Sequence, residues 1–340
     1  MRCTPGERET LAAVIEEHTA TGEAVGSRAV ARRLGGNVSS ATIRNRMAGL
    51  EAAGLLDQPH TSAGRVPTDS GYRYYVDHLM PRPAPAEEAV RQVSASFHQL
   101  QDIEPALQVT CRLLAELTRQ ASLASIPDWE SERLHYAEVT PINRHQVLLV
   151  VVGSSGRVTH TLATMPLAPD RATCYAFSQR LNARFAGEPL AAISVEGLAT
   201  LARGLRAEPE FYRQAAEALR APLHGDRPFL FEGASNIVGA LSFRNAEGIT
   251  SFMQLFEREQ PLRALLSQAV PDRTSVTIGR ETGHPALQDC ALVTRTYRAA
   301  NGSMGTVAIL GPKRMRYDLA VATLNLVVDM LNRALWASGG

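Results

Sequence analysis

This sequence contains a single lysine and few cysteines. Of its 35 basic residues only Lys313 is a lysine, and the excess of arginine runs through every segment. That bias points to genome composition rather than to function. The four cysteines, Cys3, Cys111, Cys174 and Cys290, are scattered and form no CxxC pair. Their spacing argues against a zinc site and against a disulfide framework, so we expect no metal ligands.

Long apolar runs and a strong net charge are also missing. No stretch approaches the roughly 20 apolar residues that span a bilayer. The amino terminus runs into an amphipathic pattern instead of a signal-peptide core, so we expect a cytoplasmic protein without a membrane partner. The formal net charge of the 340 residues is +1. Any contact with nucleic acid must therefore come from a local patch.

The first 80 residues show the order helix, helix, helix, hairpin, helix. Apolar spacing and glycine stops predict helices over 7–21, 28–34 and about 40–53. Two short extended runs around a Ser/Gly loop then predict a β-hairpin, and 69–80 predicts another helix. Three helices followed by a hairpin is the order of a winged helix-turn-helix domain.

The third of these predicted helices carries most of the candidate DNA-binding residues. Ile43, Met47 and Leu50 fall at i, i+4 and i+7 and form one core-facing stripe. The opposite face carries small residues with Asn45 at its centre. Small residues permit close approach to a major groove, where Asn and Arg pair with adenine and guanine edges or with phosphates. The solvated face of an ordinary helix shows the same pattern, so the helix alone leaves both interpretations open.

Basic charge concentrates around this helix. The segment from Ser27 to Tyr75 contains seven arginines and three acids, a local charge of +4. Arg65 lies beside the hairpin turn, where a basic residue can reach a phosphate or the minor groove; an unpaired surface arginine is the alternative. His60 has no second ligand at metal spacing, which favours a turn or a DNA-facing position. The predicted DNA-contacting residues are Ser40, Thr42, Arg44, Asn45, Arg46, His60, Ser62 and Arg65.

Strand patterns in the rest of the chain fall in two blocks. Beyond a proline-rich linker at 81–85, two helical patterns occupy 86–124. Strand patterns follow at 146–162 and again after about 273, and the stretch between 200 and 272 is mostly helical. One explanation is a single α+β domain that is interrupted by an insertion.

No enzyme motif stands out. The GSSG segment at 153–156 lies between two strand patterns and indicates a hairpin turn instead of an exposed nucleophile. The GASN segment at 233–236 is too short for a phosphate loop, and no Lys-Ser/Thr pair follows it. Clustered His, Cys or acidic residues are missing beyond residue 130. We therefore expect no catalytic residues and no cofactor, and an enzyme with an appended DNA-binding domain is the weakest of the possible functions.

Several motifs resemble those of the heat-inducible transcription repressor family, HrcA. The most specific is QPHTSAGRVPT at 58–68, which SATIRN at 40–45 precedes and GYRYYVD at 71–77 follows. The matching segments later in the chain are GASNI at 233–237, IGRE at 278–281 and GPKRMRY at 311–317. The resemblance spans nearly the whole chain. Arg46 and Arg316 depart from the family, which usually has an acidic residue at each position.

The resemblance implies an α+β multidomain protein with an amino-terminal winged helix-turn-helix and a GAF-like domain that contains an inserted dimerisation domain. On this sequence we expect the winged helix at 1–80, a linker with connecting helices at 81–126, the GAF-like α+β domain at 127–200 and 273–340, and a mostly helical dimerisation domain at 201–272.

The implied function is repression of heat-shock chaperone operons by a homodimer. Its partners would be an inverted-repeat operator in double-stranded DNA and the chaperonin GroEL. The alternative is a metabolite-responsive transcription regulator that senses a small molecule in the GAF-like domain.

Overall fold

A computed structural model of the chain describes residues 3–59, 64–81, 85–98, 100, 102–126, 132–154, 158–201, 211–217, 229–240, 259–299 and 302–337. These residues form α-helices and three antiparallel sheets of two, five and three strands. Their buried apolar side chains gather in three hydrophobic clusters.

The described residues within 3–81, which we call the amino-terminal unit, form three helices, two short paired strands and a fourth helix. The elements are α1 (Pro5–Thr21), α2 (Ser27–Arg33), α3 (Ser40–Ala52), β1 (Leu56–Asp57), β2 (Val66–Pro67) and α4 (Asp69–His78). The strands β1 and β2 pair antiparallel, with Leu56 opposite Pro67. The observed order of elements is the one that the sequence predicted.

Local sequence signals explain the ends of α1. The hydroxyl of Thr4 accepts the backbone N–H of Glu7, and the carboxylate of Glu7 accepts the backbone N–H of Thr4 at 2.8 Å. This reciprocal pair is a capping box, which satisfies two N–H groups that have no partner within the helix. Gly22 ends α1 in the left-handed conformation with φ 75°, which glycine adopts without the steric cost of a side chain.

The largest sheet lies in what we call the central unit, which consists of the described residues within 85–126, 229–240 and 259–337. Its five strands have the order β7-β3-β10-β9-β8, and every neighbouring pair is antiparallel. Their bounds are β3 (Ala121–Ser125), β7 (Phe229–Glu232), β8 (Ser275–Ile278), β9 (Cys290–Arg298) and β10 (Met304–Pro312).

Helices cover both faces of this sheet. They are α5 (Glu87–Ser96), α6 (Ile103–Thr118) and α11 (Tyr317–Ala337) on one face, and α9 (Ala234–Ala240) and α10 (Glu259–Leu266) on the other. Successive residues of a strand point to opposite faces. On β10, Val307 and Ile309 therefore join the cluster with α6 and α11, whereas Ala308 and Leu310 join the cluster with α9 and α10.

A third unit is inserted between β3 and β7, two strands that lie side by side in the central sheet. This inserted unit comprises the described residues between 132 and 217. Its elements are β4 (Leu134–Asn143), β5 (Gln146–Gly153), β6 (Val158–Thr164), α7 (Arg171–Phe185), α8 (Val195–Leu201) and a helical stretch at 211–217. One face of its three-stranded sheet packs against α7 around Phe177 and Leu181.

The sequence predicted that the strand patterns before residue 200 and after residue 273 belong to one domain. In the structure they form two separate sheets. Two other segments complete the central sheet: β3, expected among the connecting helices, and β7, expected within the insertion. The prediction was wrong because alternation along a strand reports which face is buried, but not which strand lies beside it. The insertion accordingly falls between β3 and β7, and not at 201–272.

Helix α11 closes the described part of the chain. Residues Tyr317–Trp336 are long and apolar enough to cross a membrane by length and composition, a weak criterion that core helices also meet. Leu324, Val327 and Leu331 of this helix are buried in the cluster that α11 shares with α6 and the central sheet. The apolar face of α11 is therefore occupied by protein.

Candidate nucleic-acid interface

Helix α3 exposes the face on which the sequence placed most of the DNA contacts. Its predicted apolar stripe is buried against the rest of the amino-terminal unit. Arg44 and Asn45 lie on the exposed side, next to Ala41 and Ala48. The small alanine side chains project little from the helix surface. Neither Arg44 nor Asn45 makes a hydrogen bond or ion pair to any residue within the described ranges. Both side chains are therefore free to bind an external partner.

The amino-terminal end of α3 is fixed by Ser39. Its hydroxyl accepts the backbone N–H of Thr42 at 3.2 Å and lies 2.9 Å from the Thr42 hydroxyl. Ser39 is thus the N-cap of α3. Ser40 is the first residue of the helix and is half-buried, whereas Thr42 is exposed. The Ser39 contact orients the Thr42 hydroxyl on the candidate surface.

Arg46 contacts the amino-terminal unit itself. Its guanidinium donates to the carbonyl oxygen of Gly6 at 3.3 Å, which links α3 to the start of α1. Glycine at position 6 makes this approach possible, because an added Cβ would lie only 2.4 Å from Cζ of Arg46. Arg46 therefore has a packing role in this structure, although the sequence placed it among the DNA contacts.

Arg65 is also held by an internal partner. Its Nε and Nη2 atoms both lie 2.8 Å from Oε2 of Glu51, near the carboxyl end of α3. Its backbone pairs with Val25, N–H to carbonyl oxygen in both directions at 2.9 Å. Arg65 thereby joins the base of the hairpin to both α3 and the loop before α2. Its side chain is only 19% exposed.

The seven arginines of the basic segment consequently fall into two groups. Arg33, Arg46, Arg65 and Arg73 bind partners within the protein. The others, Arg28, Arg32 and Arg44, are exposed and have no hydrogen bond or ion pair within the part of the chain that the structure describes. The amino-terminal unit therefore offers fewer arginines to an external partner than the count of seven suggests.

Arg28 and Arg32, which entered the sequence-based prediction only as part of the local charge, are exposed and are further candidates for this surface. They are four positions apart on α2, so they share one face of that helix. Helix α2 contains no acidic residue that could pair with them. That spacing and that lack of acids were visible in the sequence and could have identified the pair.

Two of the predicted contacts, His60 and Ser62, lie outside the described residues. The structure describes the two strands on either side of them, β1 and β2.

The amino-acid sequence is similar to those of known repressors over nearly its full length. It is 36% identical over 340 residues to the heat-inducible transcription repressor HrcA of Moorella thermoacetica, covering 98% of both chains. It is 34% identical over 332 residues to the protein of the same name from Symbiobacterium thermophilum, covering 96% of this chain and 97% of the other. Residues 104–321 match a family model described as the HrcA protein C terminal domain.

The fold also matches a solved structure. A crystal structure at 2.2 Å resolution, of a protein described only as hypothetical, superposes with a TM-score of 0.69 and covers 99% of this chain and 100% of the other. The two sequences are 23% identical, so this likeness concerns the fold alone.

Together these similarities define the class of protein: the chain is a transcription repressor and not an enzyme. It belongs to the HrcA family of heat-inducible transcription repressors, which functions in the heat-shock stress response. The family resemblance found in the motifs of the sequence is therefore confirmed.

Proposed function

We propose that this protein represses transcription by binding double-stranded DNA through the amino-terminal unit, which acts as a winged helix-turn-helix. The observation that carries the proposal is the free, exposed pair Arg44 and Asn45 on α3, flanked by Ala41 and Ala48. A helix can enter the major groove with such a face, because small residues permit contact while Arg and Asn reach the base edges. Helix α3 is the recognition helix in this proposal, and β1 and β2 are the strands of the wing.

The remaining site residues have distinct roles in this proposal. Arg28 and Arg32 bind phosphates, because they are exposed cations on the helix that precedes α3. Thr42 and Ser40 lie at the amino-terminal end of α3, where hydroxyl and N–H groups suit a phosphate oxygen. His60 and Ser62 stay predicted contacts of the wing. Arg46 and Arg65 position these groups through Gly6 and Glu51, respectively.

We further propose that the protein is a homodimer that forms through the inserted unit. Ten large apolar side chains are exposed among the described residues, and seven of them belong to this unit: Tyr136, Ile142, Val158, Leu162, Leu167, Tyr175 and Val195. Val158 lies opposite Val152 and Leu162 lies opposite Leu148 on the outer face of the three-stranded sheet, away from α7. Clustered exposed apolar residues mark an interaction surface. A second copy is the occupant that a symmetric operator requires.

The biological target that we propose is an inverted-repeat operator of heat-shock chaperone genes, bound in the cytoplasm, with the chaperonin GroEL as a protein partner. The five-stranded sheet and its helices correspond to the GAF-like domain, and the inserted unit to the dimerisation domain. The similarity to heat-inducible transcription repressors favours this function over that of a metabolite-responsive regulator.

A salt-series titration tests the DNA-binding proposal. The full chain is titrated against a duplex that carries an inverted-repeat heat-shock operator and against a scrambled duplex of equal length. We expect tighter binding to the operator, with log K falling linearly as log salt rises. Arg44→Ala and Asn45→Ala should each weaken operator binding about tenfold, since a good base contact contributes about 1–3 kcal/mol. Equal weak binding to both duplexes, with and without the chaperonin, would refute the proposal.

A further inference from the structure

Helix α4 is firmly attached to the carboxyl end of α3. The hydroxyl of Thr68 donates to the carbonyl oxygen of Gly54 at 2.7 Å, and the Thr68 N–H donates to that of Leu55 at 3.1 Å. Gly71, in the first turn of α4, packs so closely that an added Cβ would lie 2.1 Å from the Leu55 oxygen. These contacts hold the start of α4 against the segment that directly follows α3. A change in the position of α4 is therefore passed on to α3, the proposed recognition helix.

The amino-terminal end of α4 in turn binds the central unit through Asp69. Its Oδ1 atom accepts from Nζ of Lys313 at 2.9 Å, and its Oδ2 atom accepts from the backbone N–H of Arg280 at 3.1 Å. Gly279 makes room for this carboxylate, because an added Cβ would lie 2.3 Å from Oδ2. Both Lys313 and Arg280 belong to the central unit, so Asp69 bridges two parts of the molecule.

A second charged contact lies one turn further along α4. Nε of Arg73 donates to Oε1 of Glu281 at 2.9 Å, and its Nη2 donates both to Glu281 and to the carbonyl oxygen of Val276. Glu281 is itself held in place, since its Oε2 accepts the backbone N–H of Ile278 at 2.8 Å. Arg73 and Asp69 thus attach α4 to the central unit at two points. Two points fix the orientation of the helix, whereas a single point would let it rotate.

The contact between α4 and the central unit combines partly exposed charged pairs with a buried pair of tyrosines. The side chains of Asp69, Lys313, Arg73 and Glu281 are about a quarter to two-fifths exposed, so salt screens their attraction. Tyr72 packs on Tyr317 between the two pairs, with ring centroids 5.9 Å apart. Its buried hydroxyl has no hydrogen-bond partner within the described ranges. Directional charged pairs fix the register of α4 on the central unit, and the buried tyrosine pair adds apolar contact beside them.

Lys313 is also chemically exceptional in this chain. It is the only lysine among 35 basic residues. A compositional preference for arginine has acted at every other basic position but not here, which favours a specific role for an ammonium group. That group lies 2.9 Å from Asp69 and 3.5 Å from Asp289, between two carboxylates from different units. A compact ammonium suits such a position better than a planar guanidinium.

We propose that these contacts form a latch that sets the operator spacing this repressor accepts. The latch consists of Asp69 and Arg73 of α4 with Lys313, Glu281 and the Arg280 backbone of the central unit. The latch proposal rests on the proposed function, in which two copies dimerise through the inserted unit and each copy presents its α3 to DNA. A latched α3 reaches its half-site only at one separation, because dimers read half-sites at a fixed geometric distance. The latch residues are positioning residues that touch no DNA.

The state of the latch can be measured without DNA, because Lys313 is the only lysine. The full chain is treated with an amine-acetylating reagent, and the acetylation rates of Lys313 and of the α-amino group are followed by mass spectrometry. Asp69→Asn should accelerate acetylation of Lys313 at least threefold and leave the α-amino rate unchanged. Glu281→Gln, which leaves both carboxylates around Lys313 in place, should also accelerate it, since the two contacts hold one helix. Unchanged Lys313 rates in both variants would overturn the latch.

The role in spacing is tested with variants of the central unit only, so that the DNA-binding surface stays intact. Wild type, Lys313→Met and Glu281→Gln are titrated against a half-site and against inverted repeats whose spacers differ by up to about half a helical turn. Arg298→Ala is the matched control, because it removes an exposed pair with Asp272 in the same unit away from α4. Half-site affinity should stay within twofold in all four proteins.

We expect wild type and Arg298→Ala to prefer one spacer at least tenfold, and the two latch variants to lose most of that preference. An unchanged spacer profile in both latch variants would overturn the proposal, even if their Lys313 acetylation is faster. Failure of wild type to bind any half-site would instead refute the DNA-binding function. The acetylation rates still report on the latch in that case, so the two failures are distinguishable.

Discussion

Arg65 and Glu51 show how one ion pair decides the role of a basic residue. Glu51 lies near the end of α3 and Arg65 at the base of the hairpin, and their pairing holds these two elements together. A free Arg65 would add a cation to the proposed DNA-binding surface. A paired Arg65 instead fixes the position of the hairpin relative to α3. The structure shows the paired form, in which the side chain is mostly covered.

Substitution of Glu51 separates the two roles. If Arg65 positions the hairpin, Glu51→Gln and Arg65→Ala should weaken operator binding by similar factors of about 5 to 10, and the double variant should be no weaker than either alone. The measurement is a double-mutant cycle of operator affinity. Tighter binding by Glu51→Gln would show instead that a released Arg65 contacts DNA directly.

Arg28 and Arg32 should contribute affinity without specificity. Replacing either with alanine should weaken binding to operator and scrambled DNA by the same factor, and should reduce the slope of log K against log salt by about 1. Arg33→Ala is the matched control, because Arg33 is neighbouring but pairs with Glu16 and Glu17. A salt slope that Arg28→Ala and Arg32→Ala leave unchanged would exclude both as phosphate contacts.

At the scale of elements, the end of α1 contains a group that responds to pH. His18 is half-buried, and its Nδ1 lies 2.7 Å from the carbonyl oxygen of Glu23. Burial lowers the pKa of His18 below its usual 6.5; the Glu23 hydrogen bond acts in the opposite direction, and Arg314 of the central unit lowers it further. The folded protein therefore binds a proton at this site less readily than the unfolded chain does.

The sign of the resulting pH dependence follows from linkage. The stabilising contribution of neutral His18 is complete above its unfolded pKa, and it is lost as the pH falls through the lowered folded pKa. Between about pH 7.5 and pH 5.5 the wild type should lose more unfolding free energy than His18→Gln, which cannot titrate. Urea unfolding at both pH values measures this difference. Equal losses in the two proteins would show that His18 is not linked to folding.

At the scale of the whole molecule, the outer face of the three-stranded sheet is an apolar surface that the described residues leave uncovered. Val158 is 61% exposed and Leu162 is 50% exposed. Both lie on the edge strand β6, two residues before and two residues after His160. Apolar side chains at such exposure favour association, because water is released when two copies pack together. This surface lies on a unit other than the one that carries α3.

Charge on this face should separate the copies. Leu162→Glu and Val158→Glu should each raise the dimer dissociation constant at least tenfold, since a carboxylate facing an apolar partner is costly to bury. Analytical ultracentrifugation measures the shift. Val90→Glu is the control, because Val90 is an exposed apolar residue outside the inserted unit. Dimers of normal stability in both sheet variants would move the interface elsewhere.

Much of the local structure could be predicted from the sequence. The i, i+4, i+7 spacing of Ile43, Met47 and Leu50 predicted which side of α3 is buried, and the structure confirms it. Glycine after α1 predicted where that helix ends, at Gly22. These features depend on residues within a few positions of one another, so neighbouring sequence is sufficient to specify them.

The sequence could not predict which arginines are free. The partner of Arg65 is 14 residues away, and Gly6 lies 40 residues from Arg46. The sequence pattern therefore predicted Arg46 and Arg65 as DNA contacts and did not single out Arg28 and Arg32, which have no such partner in the described structure. Whether a charge is available to a ligand depends on what packs beside it, and only the folded chain determines that.

The sequence by itself determined the class of protein, the helices and strands of its first 80 residues and the apolar faces that must be buried. Tertiary structure alone decided that β3 and β7 are neighbours across an insertion, and that Asp69 meets Lys313 across 244 residues of chain. Apolar periodicity says that a face will be covered, but many partners satisfy that requirement equally well. The choice among them is made when all elements pack at once, because each contact competes with every other for the same buried surface.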